Sequence, residues 1–173
     1  SHAITKTVRD SALLLDCTQG PEPGSPYHAP KLNSSFFETL SIEPGKCRIA
    51  LCVDTFNGAT HDPEVVEITR KAAKNLEDLG HTIEETKLPI SQELVRSAHG
   101  IIAVCHIGST VEKMAKKLDL VITEEHLERV TWNNYLRAQE ISGPDYAGAV
   151  GDIHQTGRIV SEFFKDFDLI LSP

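Results

Sequence analysis

The succession of strand, helix and strand between residues 47 and 88 constrains this chain more than any other feature. Residues 47–53 are a short apolar run, bounded by Pro44-Gly45 before it and by Asn57-Gly58 after it. A run of that length between turn formers reads as a buried strand. Asp62-Pro63-Glu64 then opens a helix. Asp62 can cap the free backbone N–H groups, Pro63 suits the first helical position, and Glu64 complements the positive end of the helix dipole. Val65, Ile68, Ala72, Leu76 and Leu79 recur at helical spacing and predict its apolar stripe. Gly80 stops the helix in a left-handed conformation. Residues 81–88 alternate as a second strand. Strands joined in this way pair in parallel through a right-handed crossover, so the expected class is α/β.

The flanks are mostly helical. Residues 5–18 read as a helix capped by Thr5, with Val8, Ala12 and Leu15 at helical spacing and Gly20-Pro21 stopping it. The loop 20–45 carries most of the prolines and the pair Ser34-Ser35. A loop this long usually serves a function or lies over a surface, and Tyr27, Phe36 and Phe37 are the side chains expected to pin it. Ser91 can cap a further helix bearing Leu94, Ala98, Ile101, Ile102 and Cys105. Residues 124–140 read as another helix, which Gly143-Pro144 breaks. Asp145 then caps a long amphipathic helix carrying Tyr146, Ala149, Val150, Ile153, Val160 and Phe164. Residues 169–171 form a third short strand ahead of Ser172-Pro173. A strand ending at the last residue, and a helix starting a few residues after the first, lead to the expectation that both ends are cut.

At 173 residues and 40% hydrophobic content, the chain has material for one compact core and little for two typical domains. Its formal net charge of −8 points away from nucleic acid, whose phosphates need clustered Lys and Arg. Continuous apolar stretches, such as residues 100–105, are too short to cross a bilayer, so no membrane partner is expected. No basic-then-apolar leader opens the sequence. The four cysteines, Cys17, Cys47, Cys52 and Cys105, form no C-x-x-C pair and read as reduced, partly buried thiols of a cytoplasmic protein.

A self-contained active site is hard to find. No G-x-S-x-G elbow occurs, and Asn57-Gly58-Ala59 has one glycine where a phosphate loop needs two or three. Thr110 and Lys113 have the spacing of a Ser-x-x-Lys motif but lack its companions. His99 and His106 share a helix face, yet no third ligand completes a metal site. Cys105-His106 suggests a nucleophile and its base. Neighbours on a helix point about 100° apart, so packing or cleft lining is the better reading. No cofactor is expected.

The run from Thr5 to Asp16, Thr-Lys-Thr-Val-Arg-Asp-Ser-Ala-Leu-Leu-Leu-Asp, followed by Gly20-Pro21 and Pro23-Gly24, resembles a segment of amidase-signature enzymes. The resemblance continues at Arg48-Ile49-Ala50, at Asp62-Pro63-Glu64-Val65-Val66, at Leu79-Gly80-His81 and at Asp145-Tyr146. It closes on Asp168-Leu169-Ile170-Leu171-Ser172-Pro173, similar to the D-x-L-L-T-P strand of that family, and it is weakest over residues 91–143. It implies a partial amidase-signature fold, with a short mixed or parallel sheet and a βαβ unit flanked by several helices. The implied chemistry is hydrolysis of an amide bond. In that family a serine attacks the carbonyl, and a second serine, held by a cis peptide bond, passes the proton to a buried neutral lysine. None of the three can be placed here. Ser34-Ser35 follows the helix motif, where the family's triad would precede it, and lacks flanking glycines, so the triad is expected upstream of Ser1.

Residues 1–173 are accordingly expected to be the C-terminal portion of an amidase domain, inactive alone, with a small amide as the substrate of the parent enzyme. Cys105, His106 and Ser109 are the candidate substrate-cleft residues. Arg9-Asp10-Ser11 with Pro26-Tyr27 and Pro30 is most similar to members acting on linear or cyclic aminohexanoate-type amides. The acidic balance points away from the amidase subunit that works on charged tRNA. Exposed strand edges predict self-association into a homo-oligomer. The competing reading is a free-standing βαβ binding module.

Overall fold

The structure, a computed structural model, describes residues 3–30, 32–54 and 60–173. The chain divides into two compact units, Ser1–Gly45 and Lys46–Pro173. Asn57, Gly58 and Ala59, which the sequence offered as a turn and a weak phosphate loop, lie outside the described residues.

In the first unit α1 spans Val8–Thr18, and its cap is Thr7, two residues later than the sequence suggested. The Thr7 side chain accepts from the Asp10 amide at 3.0 Å, while the Thr5 hydroxyl donates to the Thr7 carbonyl. The long loop contains a single-turn helix, α2 (Phe36–Thr39), closed at its start by a capping box in which Ser35 and Glu38 satisfy each other's amides. Tyr27 is 80% exposed and pins nothing. The loop is held by Asp16, whose carboxylate accepts from the amides of Phe36 at 2.7 Å and Phe37 at 2.9 Å. Ala12 is the one buried apolar side chain among the unit's described residues.

The second unit holds the sheet. Strands β1 (Arg48–Leu51), β2 (Thr82–Glu85) and β3 (Leu169–Leu171) run in parallel in the order β2-β1-β3. The predicted βαβ unit is therefore present, its crossover made by α3 (Pro63–Asp78), which packs on β2. Ile49 pairs with Ile83 on one side and with Leu169 on the other. Ile49, Ala50, Leu51 and Cys52 are all buried, as the central strand of a parallel sheet requires. Arg48 fastens the start of β1 to the approach to β3. Its amide and its guanidinium both donate to the Asp168 carboxylate, at 2.7 Å and 3.0 Å, and the Asp168 amide returns a bond to the Arg48 carbonyl. These bonds hold the Asp168 carboxyl below its usual range and the Arg48 guanidinium above its own. A second pair, Arg70 to Glu85 at 2.6 Å, ties α3 to the outer strand.

The α3 stripe is only partly the one the sequence suggested: Ala72 and Leu76 are half-buried as expected, and the rest of the buried face is different. Thr69 and Ala73 are buried and Val66 half-buried, while Val65, Ile68 and Leu79 are 44%, 57% and 66% exposed. Asp62 and Pro63 start the helix as expected, and Gly80 leaves it at a φ of 89°.

A helical layer completes the unit. The helix α4 (Gln92–Leu118) is capped by Ser91 and ends on Asp119 at a φ of 53°. By length and composition it could cross a membrane. In this fold its face of small residues, Ala98, Val104, Gly108, Val111 and Ala115, is buried, and the helix packs against α5 (Arg129–Glu140) and α6 (Gly143–Phe163). The expected helix 124–140 is divided. A 3-10 turn covers Glu124–His126, where the His126 imidazole takes the Thr123 amide, and α5 starts only at Arg129. The preceding helix ends at Glu140 as expected, but Gly143-Pro144 belongs to the start of α6: Ser142 is its cap, Pro144 sits in the first turn, and Asp145, expected as the cap, is the third residue of a capping box.

Candidate functional site

A cleft of about 770 Å³ lies between the middle of α4 and the start of α6. Cys105, His106 and Ser109 all line it, joined by His99 from the same helix and by Ser142 and Tyr146 from the other. The long uninterrupted α4 makes this possible. Positions 99, 102, 106 and 109 fall on one face by helical periodicity, and Gly108, Val111 and Ala115 turn another face to the helical layer. Cys105 is half-buried, and His106 and Ser109 are exposed to the cleft.

The other wall is fixed by the capping box of α6. The Ser142 hydroxyl donates to Asp145 Oδ2 at 2.5 Å and accepts from the Asp145 amide at 3.2 Å. The Ser142 amide also donates to that carboxylate, and these bonds hold the Asp145 carboxyl below its usual range. Ser142 is thus committed to shaping the backbone and is not a free nucleophile. Sequence reasoning misses Ser142 because Gly143-Pro144 reads as an interruption, and it puts Tyr146 on the correct helix without showing that the start of that helix faces α4. The other meaning of Gly143-Pro144, a proline in the first helical turn directly after a serine cap, is the signal that finds them.

Other candidate chemistry is used up locally. The Thr110 hydroxyl donates to the His106 carbonyl at 2.9 Å, so it stays on its own helix and does not approach Lys113 as a nucleophile would. Ser35 is consumed by the α2 cap. The four cysteines are thiols, with Cys52 buried, Cys47 and Cys105 half-buried and Cys17 exposed. Burial pushes the Cys52 thiol up, partly offset by a backbone hydrogen bond at Leu88, which makes it a packing group and a poor nucleophile. His99 and His106 reach the same cleft, but among the described residues no three His, Cys, Asp or Glu side chains converge as metal ligands. A second hollow, of about 1190 Å³, lies in the first unit against Asp16, Ser34, Ser35 and Phe36. The Asp16 carboxylate and the Ser35 hydroxyl there are already spent on backbone amides.

The main cleft can therefore bind and orient. It offers imidazole, thiol and hydroxyl groups beside Ile102, Ile107 and Ile141, and among the described residues none that lines it is Lys, Arg, Asp or Glu. A hydrolase of the serine-lysine kind needs a lysine amine against its nucleophile. This cleft has no such pair.

Comparison with known proteins agrees with this architecture. Residues 3–173 match the family model described as Amidase. The chain is 25% identical over 173 residues to the 6-aminohexanoate-cyclic-dimer hydrolase of Paenarthrobacter ureafaciens, covering 98% of this chain and 35% of that enzyme. It is 28% identical over 178 residues to the acylamidase of Rhodococcus erythropolis, covering 98% of this chain and 34% of the relative. It is 27% identical over 192 residues to one subunit of the glutamyl-tRNA(Gln) amidotransferase of Lactiplantibacillus plantarum, covering 98% and 38%. Among solved structures, a 6-aminohexanoate cyclic dimer hydrolase superposes with a TM-score of 0.81 at 24% identity, over 94% of this chain and 34% of that one. A bacterial aryl acylamidase of the amidase signature family superposes with a TM-score of 0.82 at 20% identity, over 98% and 35%. These two likenesses show a shared fold. The chain spans about a third of the length of the relatives it matches. A family match running from residue 3 to residue 173, on a fold whose described residues form a three-stranded parallel sheet and six helices, establishes that the chain belongs to the amidase family.

Proposed function

We propose that this chain forms one wall and the rim of the substrate cleft of an amidohydrolase acting on small carboxamides or linear and cyclic amides. The Ser-Ser-Lys chemistry is performed by residues outside these 173. One observation carries the reading. Among the described residues the cleft gathers Cys105, His106 and Ser109 with Tyr146 and no lysine, in a chain that matches amidases along its length while spanning about a third of them. Such a wall sets which amide is held and how it is presented. It supplies neither the attacking oxygen nor the acceptor of its proton.

Alone, the chain does not turn over amides. Incubating it with a panel of small aliphatic, aryl and cyclic amides should release no ammonia or amine above the buffer rate, and a fluorophosphonate probe should label no serine. Turnover at the level of a complete amidase, or stoichiometric labelling, would falsify the assignment of chemistry to absent residues.

The same reading covers self-association. The β2 edge ends in Glu84-Glu85 and is protected by charge, whereas β3 is Leu-Ile-Leu with Leu169 51% exposed. An apolar unpaired edge invites a further strand, from a second copy when nothing else is present. Sedimentation of the isolated chain should show species larger than a monomer, and Leu169→Lys should reduce them. A clean monomer at high concentration would exclude this.

A further inference from the structure

From the chemistry of the cleft wall we infer that the part of the substrate lying against α4 and the start of α6 is uncharged: the site takes a neutral amide and disfavours one carrying an ammonium or carboxylate at that end. This rests on the proposed assignment of the cleft to substrate. The chain is 24% charged, so a surface drawn from it at random would carry several ionised side chains. Among the described residues, none that lines the cleft is Asp, Glu, Lys or Arg. Asp145, which immediately precedes the lining residue Tyr146, is absent from the lining and is turned into the capping box of α6, where the Ser142 amide and hydroxyl donate to it. The groups left facing the cleft, His99, His106, Ser109, the Cys105 thiol and Tyr146, are hydrogen-bonding groups set among Ile102, Ile107 and Ile141. Such a surface matches an amide and an alkyl segment. A charged group moved onto it loses hydration and meets no carboxylate, ammonium or guanidinium among the described lining residues, which is costly. Discrimination therefore comes from rejecting charge and needs no extra attraction for the neutral substrate.

The test uses three primary amides of one length: hexanamide, 6-aminohexanamide and adipic acid monoamide, which are neutral, cationic and anionic at pH 7. Each is titrated into the ¹⁵N-labelled chain while amide resonances are followed. Hexanamide should shift Cys105, His106 and Tyr146, and each charged probe should need at least about tenfold higher concentration, given the cost of an unpaired desolvated charge. Ser109 is exposed, so Ser109→Asp should be tolerated. It should bring the affinity for 6-aminohexanamide to that for hexanamide or above, and weaken the anionic probe further. If either charged probe shifts the same resonances of the unsubstituted chain at equal or lower concentration, the inference is overturned and the cleft assignment stands. If none of the three moves Cys105, His106 or Tyr146, the cleft assignment fails and the inference falls with it.

Discussion

The packing of α4 on α5 turns on one glycine. A Cβ built on Gly108 would lie 2.5 Å from the Cβ of Ala138 and 3.9 Å from its Cα. Carbon atoms in good contact sit about 3.5–4.0 Å apart, so Gly108→Ala forces the two helices apart by roughly 1 Å. Two effects then oppose each other. Alanine is the better helix former by about 1 kcal/mol. Overpacking a fitted helix contact costs about 1–3 kcal/mol. The expected net result is a loss of up to about 2 kcal/mol, where helix propensity alone would give a gain. Gly108→Val has no propensity gain to match and carries more volume, so its loss should be larger.

A double-mutant cycle with Ala138→Gly isolates the contact. In the Ala138→Gly background the obstructing methyl is gone, and Gly108→Ala should recover the gain of about 1 kcal/mol expected from propensity. The coupling energy is then about 1–3 kcal/mol. Urea unfolding followed by far-ultraviolet circular dichroism gives the stabilities. The single tryptophan, Trp132, lies on α5 and stacks on Tyr135 at 5.6 Å, so its fluorescence reports on the helix that must move. If Gly108→Ala stabilises the chain equally in both backgrounds, the helices do not approach as described and the reasoning is wrong.

Other perturbations test other joints. The Asp168 carboxyl is held low by hydrogen bonds from the Arg48 side chain and amide, so its contribution is complete above the unfolded value of about 3.9 and is lost as pH falls through the lower folded value. Acid unfolding of Asp168→Asn should therefore be less steep below about pH 4 than that of the unsubstituted chain, and equal slopes would show that the pair contributes nothing. Gly80 combines a φ of 89° with Lys46 Nζ 2.5 Å from where a Cβ would stand; Gly80→Ala should cost about 1–2 kcal/mol, read as a lower urea midpoint. Asp16→Ala should speed hydrogen exchange at the Phe36 and Phe37 amides and leave the amides of β1 unchanged, and unaltered exchange at both phenylalanines would remove Asp16 as the loop's anchor.

Much of the framework is legible in the sequence because its signals are local. Asp62, Pro63 and Gly80 bound α3 where helix-end chemistry puts them, and the apolar run containing Ile49, Ala50 and Leu51 forms the central strand. The α4 face bearing Cys105, His106 and Ser109 does line a cleft, since one unbroken helix carries them in register. Sequence and structure part where one residue type serves two purposes. Thr5 and Thr7 are both able to cap, and only the backbone of residue 7 (φ −131°, ψ 152°) lets its hydroxyl reach Asp10. Gly143-Pro144 reads as the end of a helix and is the beginning of one. Leu127 and Glu128 interrupt the expected helix 124–140 with extended backbone, which no proline or glycine there announces.

The largest mismatch, on α3, has a different origin. Val65, Ile68, Ala72, Leu76 and Leu79 follow the helical period well, and their spacing predicts a buried face. The face that the sheet covers is the neighbouring one, Val66, Thr69 and Ala73, leaving Val65, Ile68 and Leu79 in solvent. A helix with a second periodic apolar stripe is patterned for contacts on two sides. The edge at β3 tells the same story in strand form, with Leu169 exposed on a strand whose partner β1 is wholly apolar in its buried part. Relatives about three times as long share this fold, and under the proposed function the two exposed features are where the remaining elements of the enzyme would pack. On that proposal, a separately expressed segment carrying the Ser-Ser-Lys residues should slow hydrogen exchange at Ile170 and Leu171 and protect the α3 amides on the Val65–Ile68 side. Protection confined to the α4–α6 layer would instead place the junction elsewhere.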